Sequence, residues 1–238
     1  AQGLKAKVEM QVRSIKTEFP SYKTYVFDDP SRTFYSEPEV LFDAALDQNG
    51  VASVPLKVGN VENAPGKLMA NFKVRAFEAG GDFSTDNFSL DFSPFDRYVG
   101  VFMPTGRWGD KTIDQRGGTV TFVMVDKTGK PLANQKMTVA LFRTDWRWWW
   151  DEDAESGVAQ FNSSEINNAL DQTTLTTDSR GQATWKVKPD DWGRFLVRVM
   201  DADGGHAAGD FFWSGYPEDL NDIASRNAAA MLPFTAEK

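Results

Sequence analysis

The chain of 238 residues predicts an all-β protein made of two tandem antiparallel β-sandwich domains. Three observations carry this expectation. First, one phrase occurs twice: Asp47-Gln48-Asn49-Gly50-Val51-Ala52 is followed by Val74-Arg75-Ala76-Phe77-Glu78-Ala79-Gly80-Gly81, and Asp178-Ser179-Arg180-Gly181-Gln182-Ala183 by Val197-Arg198-Val199-Met200-Asp201-Ala202 with Gly204-Gly205. Self-similarity at about half the chain length indicates two similar domains in series. Second, the repeated Asp-x-x-Gly is a turn signature: the carboxylate accepts a turn N–H, and Gly takes positive φ without a Cβ clash. It recurs at Asp126-Lys127-Thr128-Gly129, ahead of Lys130-Pro131-Leu132, and each copy reads as a hairpin turn. Third, the flanking residues alternate apolar and polar with period two, as half-buried strands do.

The elements follow in order. Ala6, Val8, Met10 and Val12 alternate with charged or amide residues across 5–15. A turn-rich stretch at Asp28-Asp29-Pro30-Ser31 comes next, then strand patterns over 40–46, 51–58, 68–78 and 83–92. Ser93-Pro94-Phe95-Asp96 interrupts the rhythm, which places the first domain at 1–95 and the second at 96–215. In the second, the pattern restarts at 98–102, and Val120, Phe122 and Met124 precede the third turn. Val139 and Leu141 come after it, while Ala183, Trp185 and Val187 follow the turn at Asp178. The stretch 151–171 departs from this rhythm and predicts a short helical insertion around 165–170, with Asn162 as cap and Glu165 behind it. Residues 216–238 read as a linker towards a following domain.

Composition agrees with two ordinary domains: 41% of residues are hydrophobic and 13% aromatic, enough for sizeable cores. The formal charge is -8, without a Lys/Arg cluster of the kind that grips phosphates, so nucleic acid is not an expected partner. No segment approaches the roughly 18 consecutive apolar residues of a membrane span, so direct membrane insertion is not expected. Cysteine is absent, which removes thiolate nucleophiles, disulfides and thiolate metal sites. No cofactor motif is present.

One run stands out for chemistry: Asp145-Trp146-Arg147-Trp148-Trp149-Trp150-Asp151. As a strand it sets Trp146, Trp148 and Trp150 on one face, with Arg147 and Trp149 on the other. Such a row of rings beside carboxylates suits stacking on sugars or anchoring a protein interface, so residues 146–151 form the candidate interaction surface. The alternative is that one face packs in the sandwich core and the other under the insertion at 151–171. Weaker signals carry less. Asp201-Ala202-Asp203-Gly204 begins like a calcium loop but lacks the later bidentate acid, Asp210 coming too early. The lone His206 has no metal-ligating or nucleophilic company and is expected to pack beside the glycines of its turn. Paired acids such as Asp28 with Asp29 and Asp190 with Asp191 point to opposite sides of the backbone and make poor acid/base pairs.

Three phrases together resemble the macroglobulin-type domains of bacterial alpha-2-macroglobulins. They are Val125-Asp126-Lys127-Thr128-Gly129-Lys130-Pro131-Leu132, then Thr176-Thr177-Asp178-Ser179-Arg180-Gly181-Gln182-Ala183, then Trp192-Gly193-Arg194-Phe195-Leu196-Val197-Arg198-Val199. The last, continued by Gly205-His206-Ala207-Ala208-Gly209 and Phe212-Trp213, is the most specific. The resemblance covers most of 97–215 and extends more weakly across 35–92. It implies immunoglobulin-like sandwiches of about seven strands each and a place in a periplasmic or cell-envelope protease trap. In that family a cleaved bait segment makes the domain array close around the protease, and a thioester built from Cys and Gln tethers it. This chain has no Cys and no recognisable bait, so it resembles the non-catalytic scaffold of such an inhibitor. The partners this implies are neighbouring domains of a longer chain and, through that chain, target proteases. A cell-surface glycan-binding or adhesion module using Trp148 to Trp150 is the alternative.

Overall fold

A computed structural model of the chain describes residues 4–78, 80–105, 111–144 and 169–215. Eleven strands build three sheets, and every strand pair within them is antiparallel. The first half contributes β1 (Lys5–Ser14), β2 (Glu39–Ala45), β3 (Leu68–Phe77) and β4 (Phe83–Phe92). They form one sheet in the order β2-β1-β3-β4. The second half contributes β5 (Arg97–Phe102), β6 (Gly118–Asp126), β7 (Lys136–Thr144), β8 (Asp171–Thr176), β9 (Gln182–Val187), β10 (Gly193–Asp201) and β11 (Ala207–Ser214). These split into a three-stranded sheet, β5-β6-β9, and a four-stranded one, β11-β10-β7-β8. The seven-strand sandwich is therefore realised in the second half. In the first half, four strands lie against two long non-strand segments, 15–38 and 46–67.

The period-two patterns are the physical origin of these layers. Phe122 and Met124 of β6 face Val139 and Leu141 of β7 and Phe195, Val197 and Val199 of β10 across the sandwich, all fully or almost fully buried. On the opposite face of β6, Val123 and Val125 are just as buried, although nothing of the sandwich lies there. They join Tyr98 of β5 in a second core with Met10, Val12, Leu68, Ala70 and Phe72 of the first sheet. A sheet buried on both faces is the signature of a middle layer, so β5-β6-β9 is shared by both halves.

All three Asp-x-x-Gly copies adopt one geometry. In each, the Gly N–H donates to the Asp carbonyl at 2.9–3.0 Å and the Asp carboxylate accepts from two later N–H groups. The Gly φ is +75° at Gly50, +90° at Gly129 and +73° at Gly181. They are turns, but not simple hairpins. The turn at Asp178 carries the chain from β8 to β9 in the opposite sheet, and the turn at Asp126 makes a short return at Pro131 before β7 crosses over. A turn fixes a local reversal, whereas the strand that follows joins whichever sheet buries its apolar face.

The expected strand over 51–58 is not formed. Its alternation survives, with Ala52, Val54 and Leu56 turned towards the first sheet, yet the segment joins no ladder. Pro55 lacks the N–H a central strand needs. The helical insertion expected at 151–171 lies outside the described residues, apart from its last three, of which Asp171 already opens β8.

Gly181 sits where the turns at Asp126 and Asp178 meet. A Cβ there would stand 2.8 Å from Pro131 Cβ and 2.9 Å from the Leu132 nitrogen, at a left-handed φ. Gly181→Ala is expected to cost roughly 2 kcal/mol or more. Urea denaturation measures it, and a loss below about 0.5 kcal/mol would show that the corner is not constrained.

Candidate functional site at the joint between the two halves

A strap, residues 17–32, holds the two halves together. It runs from Thr17 to Arg32 with one turn of 3-10 helix at Pro20–Tyr22, and it carries Phe19, Tyr22, Tyr25 and Phe27. Phe19 and Phe27 are fully or nearly fully buried, 4.8 Å apart in an edge-to-face pair, and Phe19 meets Tyr98 of β5 at 5.5 Å. Phe27 lies flat over Gly100: a Cβ on that glycine would come within 2.6–2.9 Å of the ring. The glycine is therefore a seat for the ring.

The backbone of the strap closes the open side of the sandwich. β5 and β11 are edge strands of opposite sheets, and unpaired edges are costly or sticky unless covered. Val26 pairs with Val101 of β5 through two bonds of 2.8 and 2.9 Å, and the Asp28 carbonyl accepts from Gly209 of β11 at 3.0 Å. The farther end of β11 is covered by 111–113, with Trp213 exchanging bonds with Lys111 and Ile113. The first half is thus bound to both sheets of the second.

The same segment is anchored at home. The Asp28 carboxylate accepts from the Thr17 N–H at 3.1 Å, the Thr17 hydroxyl accepts from Lys67 at 2.7 Å, and Asp29 donates its N–H to the Pro65 carbonyl. Burial pushes the Asp28 carboxyl above its usual range, against these hydrogen bonds.

Asp29 is the charged centre of the joint. Its side chain is fully buried and reaches the outer face of β10, where Arg198 donates from Nε and Nη2 to Oδ2 at 3.1 and 2.8 Å. Arg32 Nε stands 3.3 Å from the same oxygen, while Ser31 donates its N–H and hydroxyl to Oδ1 at 3.0 and 2.6 Å. Burial alone would raise the Asp29 carboxyl, but the hydrogen bonds and charge of Arg198, aided by Ser31, hold it below its usual value. Arg32 also donates to the Gly205 carbonyl at 2.9 Å, which ties the strap to the β10–β11 turn.

His206, in that turn, is fully buried rather than resting among its glycines. Its Nδ1 accepts the Val99 N–H of β5 at 3.0 Å, so it bridges the two sheets at the same corner. The ring lies 4.6 Å from Tyr98 and 5.0 Å from Phe95. Burial, and then the charge of Arg32, push its pKa down to about 3; Asp29 and the Phe27 backbone pull the other way, although Nε2 closes no hydrogen bond of good geometry. His206 is neutral here and cannot act as an exposed base or a metal ligand. Asp201, the head of the calcium-like phrase, is equally buried and faces Arg97 Nε at 2.9 Å, a cation where a metal would have to sit.

The run Trp146, Arg147, Trp148, Trp149, Trp150 and Asp151, singled out in the sequence, lies outside the described residues, between β7 and β8. Asp29, Phe27, Arg198 and His206 were not singled out as a site. Four aromatics within nine residues of an apparent loop were the available signal, because a solvent-exposed loop has no use for them.

Two outcomes follow. Asp29→Ala leaves Arg198 and Arg32 without their counter-ion and is expected to cost about 3–5 kcal/mol, whereas the paired change Asp29→Leu with Arg198→Met costs much less. Equal losses in urea denaturation would mean that the ion pair is incidental. For His206 the folded pKa is depressed, so the unfolded chain takes up a proton first as pH falls. Its share of stability is intact above about pH 6.5 and declines below it, by up to about 1.4 kcal/mol per pH unit. The buried Asp28, whose carboxyl is raised, works with the opposite sign as pH falls but is common to wild type and variant, so His206→Gln should flatten the decline below about pH 6.5. An unchanged slope would contradict the assignment.

The described fold matches solved structures. The first is a Salmonella alpha-2-macroglobulin reacted with methylamine, at 18% identity and a TM-score of 0.54, covering 91% of this chain and 15% of that one. Trypsin-activated alpha-2-macroglobulin from Escherichia coli gives 17% identity and 0.54, over 91% and 14%. The native conformation of the E. coli protein gives 19% and 0.50, over 91% and 14%. This chain thus spans about one seventh of each. No curated protein sequence matches it. The family described as "Bacterial Alpha-2-macroglobulin MG5 domain" matches residues 1–94, and "Bacterial macroglobulin domain 6" matches 107–216. With most of its length matched by two such families in succession, on the fold they share with those structures, the chain belongs to the bacterial alpha-2-macroglobulin family.

Proposed function

We propose that this chain is a rigid, non-catalytic scaffold element of a bacterial protease-trapping inhibitor of broad endopeptidase specificity, acting in the periplasm or cell envelope. Its partners are then neighbouring domains of a longer polypeptide and, through them, the captured protease. The observation that carries the reading is the joint: one strap pairs with an edge strand of each sheet of the second sandwich and buries Asp29 against Arg198. A binding module needs only one exposed face, whereas an element that passes displacement along an array needs its parts fixed to each other. The division into 1–95 and 96–215 is part of this proposal, and the matched spans 1–94 and 107–216 support it. That one of the similar structures is described as trypsin-activated supports the protease connection. The glycan-binding alternative rests on the Trp148 to Trp150 run, outside the described residues, and no described feature favours it.

In the longer inhibitor, a protease that has been enclosed should still cleave a small chromogenic peptide but not a large protein substrate. Phe27→Ala, which empties the joint of its central ring, is expected to cost about 3–5 kcal/mol locally. It should also restore cleavage of the protein substrate while leaving the small one unchanged. Shielding that survives a demonstrably loosened joint would sink the scaffold reading. Small-angle scattering of this chain alone provides that demonstration, with a single narrow distribution of end-to-end distances expected for wild type and a broad one for the variant.

A further inference from the structure

Among the described residues, the β4 edge of the first sheet has no partner strand. β4 is a ten-residue edge strand, and its first nine residues are all exposed. Its pairing with β3 runs without a register shift from Leu68–Phe92 to Phe77–Phe83, whereas the β1–β2 pairing on the other side is broken by an irregularity at Val8 and Glu9. Open edges are ordinarily blunted by Lys, Pro, a bulge or a covering segment. Among the described residues β4 has none of these: its sequence, Phe83-Ser-Thr-Asp-Asn-Phe-Ser-Leu-Asp-Phe92, contains no Lys, Arg or Pro, and no described segment pairs with its outer edge. The edges of β5 and β11, by contrast, are covered by the strap and by 111–113.

An apolar groove of about 350 Å³ runs along the face of this sheet from β2 to β4, lined by Leu41, Val8, Phe72, Val74, Phe88 and Leu90 on the sheet side and by the unpaired 51–58 segment opposite. Phe88 and Leu90 are 45% and 49% exposed, and Leu56 across the groove is 51% exposed. Three carboxylates, Asp82, Asp86 and Asp91, border or belong to the strand, and among the described residues none of them makes an ion pair. Asp86, opposite Val74, shares the groove face with Phe88 and Leu90, whereas Asp91, opposite Met69, lies on the other face. A free backbone edge, an apolar trough for alternate side chains and an unpaired carboxylate on each face together specify a ligand.

We infer that the β4 edge is a docking site for an extended segment of another polypeptide, which adds as a fifth strand. That segment would set apolar side chains at two alternate positions beside Phe88 and Leu90, with Lys or Arg at the next position on that face, beside Asp86, and another on the opposite face, beside Asp91. Main-chain bonds supply affinity in such strand addition, and the alternate pockets supply selectivity. The inference is independent of the trap reading.

The test is titration of a fluorescently labelled peptide into the 238-residue chain, followed by anisotropy. The peptide carries Val or Phe at two alternate positions with Lys next on the same face, and Thr with one Lys on the other face; controls replace its Lys by Glu or scramble the alternation. Saturable binding is expected, weakened about tenfold by Leu90→Lys and about threefold by Asp86→Asn, and reduced by salt. Leu90 is half exposed, so an unchanged melting curve will show that its variant folds, and Asp86→Asn provides the second arm. Absence of binding at millimolar peptide, equal binding of the Glu peptide, or insensitivity to both variants would overturn the inference. So would concentration-dependent dimerisation abolished by Leu90→Lys, since the occupant would then be a second copy of this chain.

Discussion

Every other feature of the molecule depends on how the open side of the second sandwich is closed. Two sheets packed face to face leave edge strands whose N–H and C=O groups need partners, and β5 and β11 are such strands at one corner. The chain supplies those partners from a distance. Val26 and Asp28, some seventy residues before the sandwich's main body, pair with Val101 and Gly209, and His206 caps the remaining Val99 N–H. Because the closing segment belongs to the first half, closing one domain and joining two are a single event. The buried Asp29 carboxylate fixes the register of that event, since it is tolerable only where Arg198, Arg32 and Ser31 meet it.

From this follows the sharing of cores. Four strands of a first sheet, with only coil on their inner side, bury little surface for their length, and small cores are marginal. Tyr98, Val123 and Val125, which belong by sequence to the second half, complete the first core. The first half is therefore not an independent bead on a string, and its unfolding is coupled to that of its neighbour. The apolar surplus along the β4 edge of the same sheet, around Phe88 and Leu90, is what no described segment covers.

What the sequence made legible was local, and what it hid was distant. Alternation located β1, β3, β4 and β9 to within a residue or two, because a half-buried strand writes its period directly into neighbouring positions. The Asp-x-x-Gly turns were equally readable, since their hydrogen bonds close within five residues. The assignment of strands to sheets was not, and the turn at Asp178 passed for a hairpin although it is a corner between layers. Asp28-Asp29-Pro30-Ser31 read only as a turn-rich stretch. Nothing near Asp29 in sequence announces Arg198, 169 positions away, and a buried ion pair is visible only when both partners are placed. The 51–58 segment shows the opposite error, a strand pattern without a strand, because alternation reports which way side chains point and not whether the backbone has a partner.

The two faces of the molecule divide labour by how they satisfy backbone groups. At the joint, edges are saturated by segments of the same chain and locked by a desolvated charge, an arrangement with high cost for intermediate positions. Interfaces packed in this way have discrete arrangements and do not bend gradually. A displacement applied to one half must therefore carry the other with it until the joint fails as a whole. At β4 the edge is unsaturated, its charges are unmatched and its apolar residues are half wet, so contact there can form and dissolve without breaking anything internal. On the scaffold role and the β4 docking proposed above, a body rigid at one boundary and adhesive at another is what an array needs if its members are to move as units and yet change neighbours.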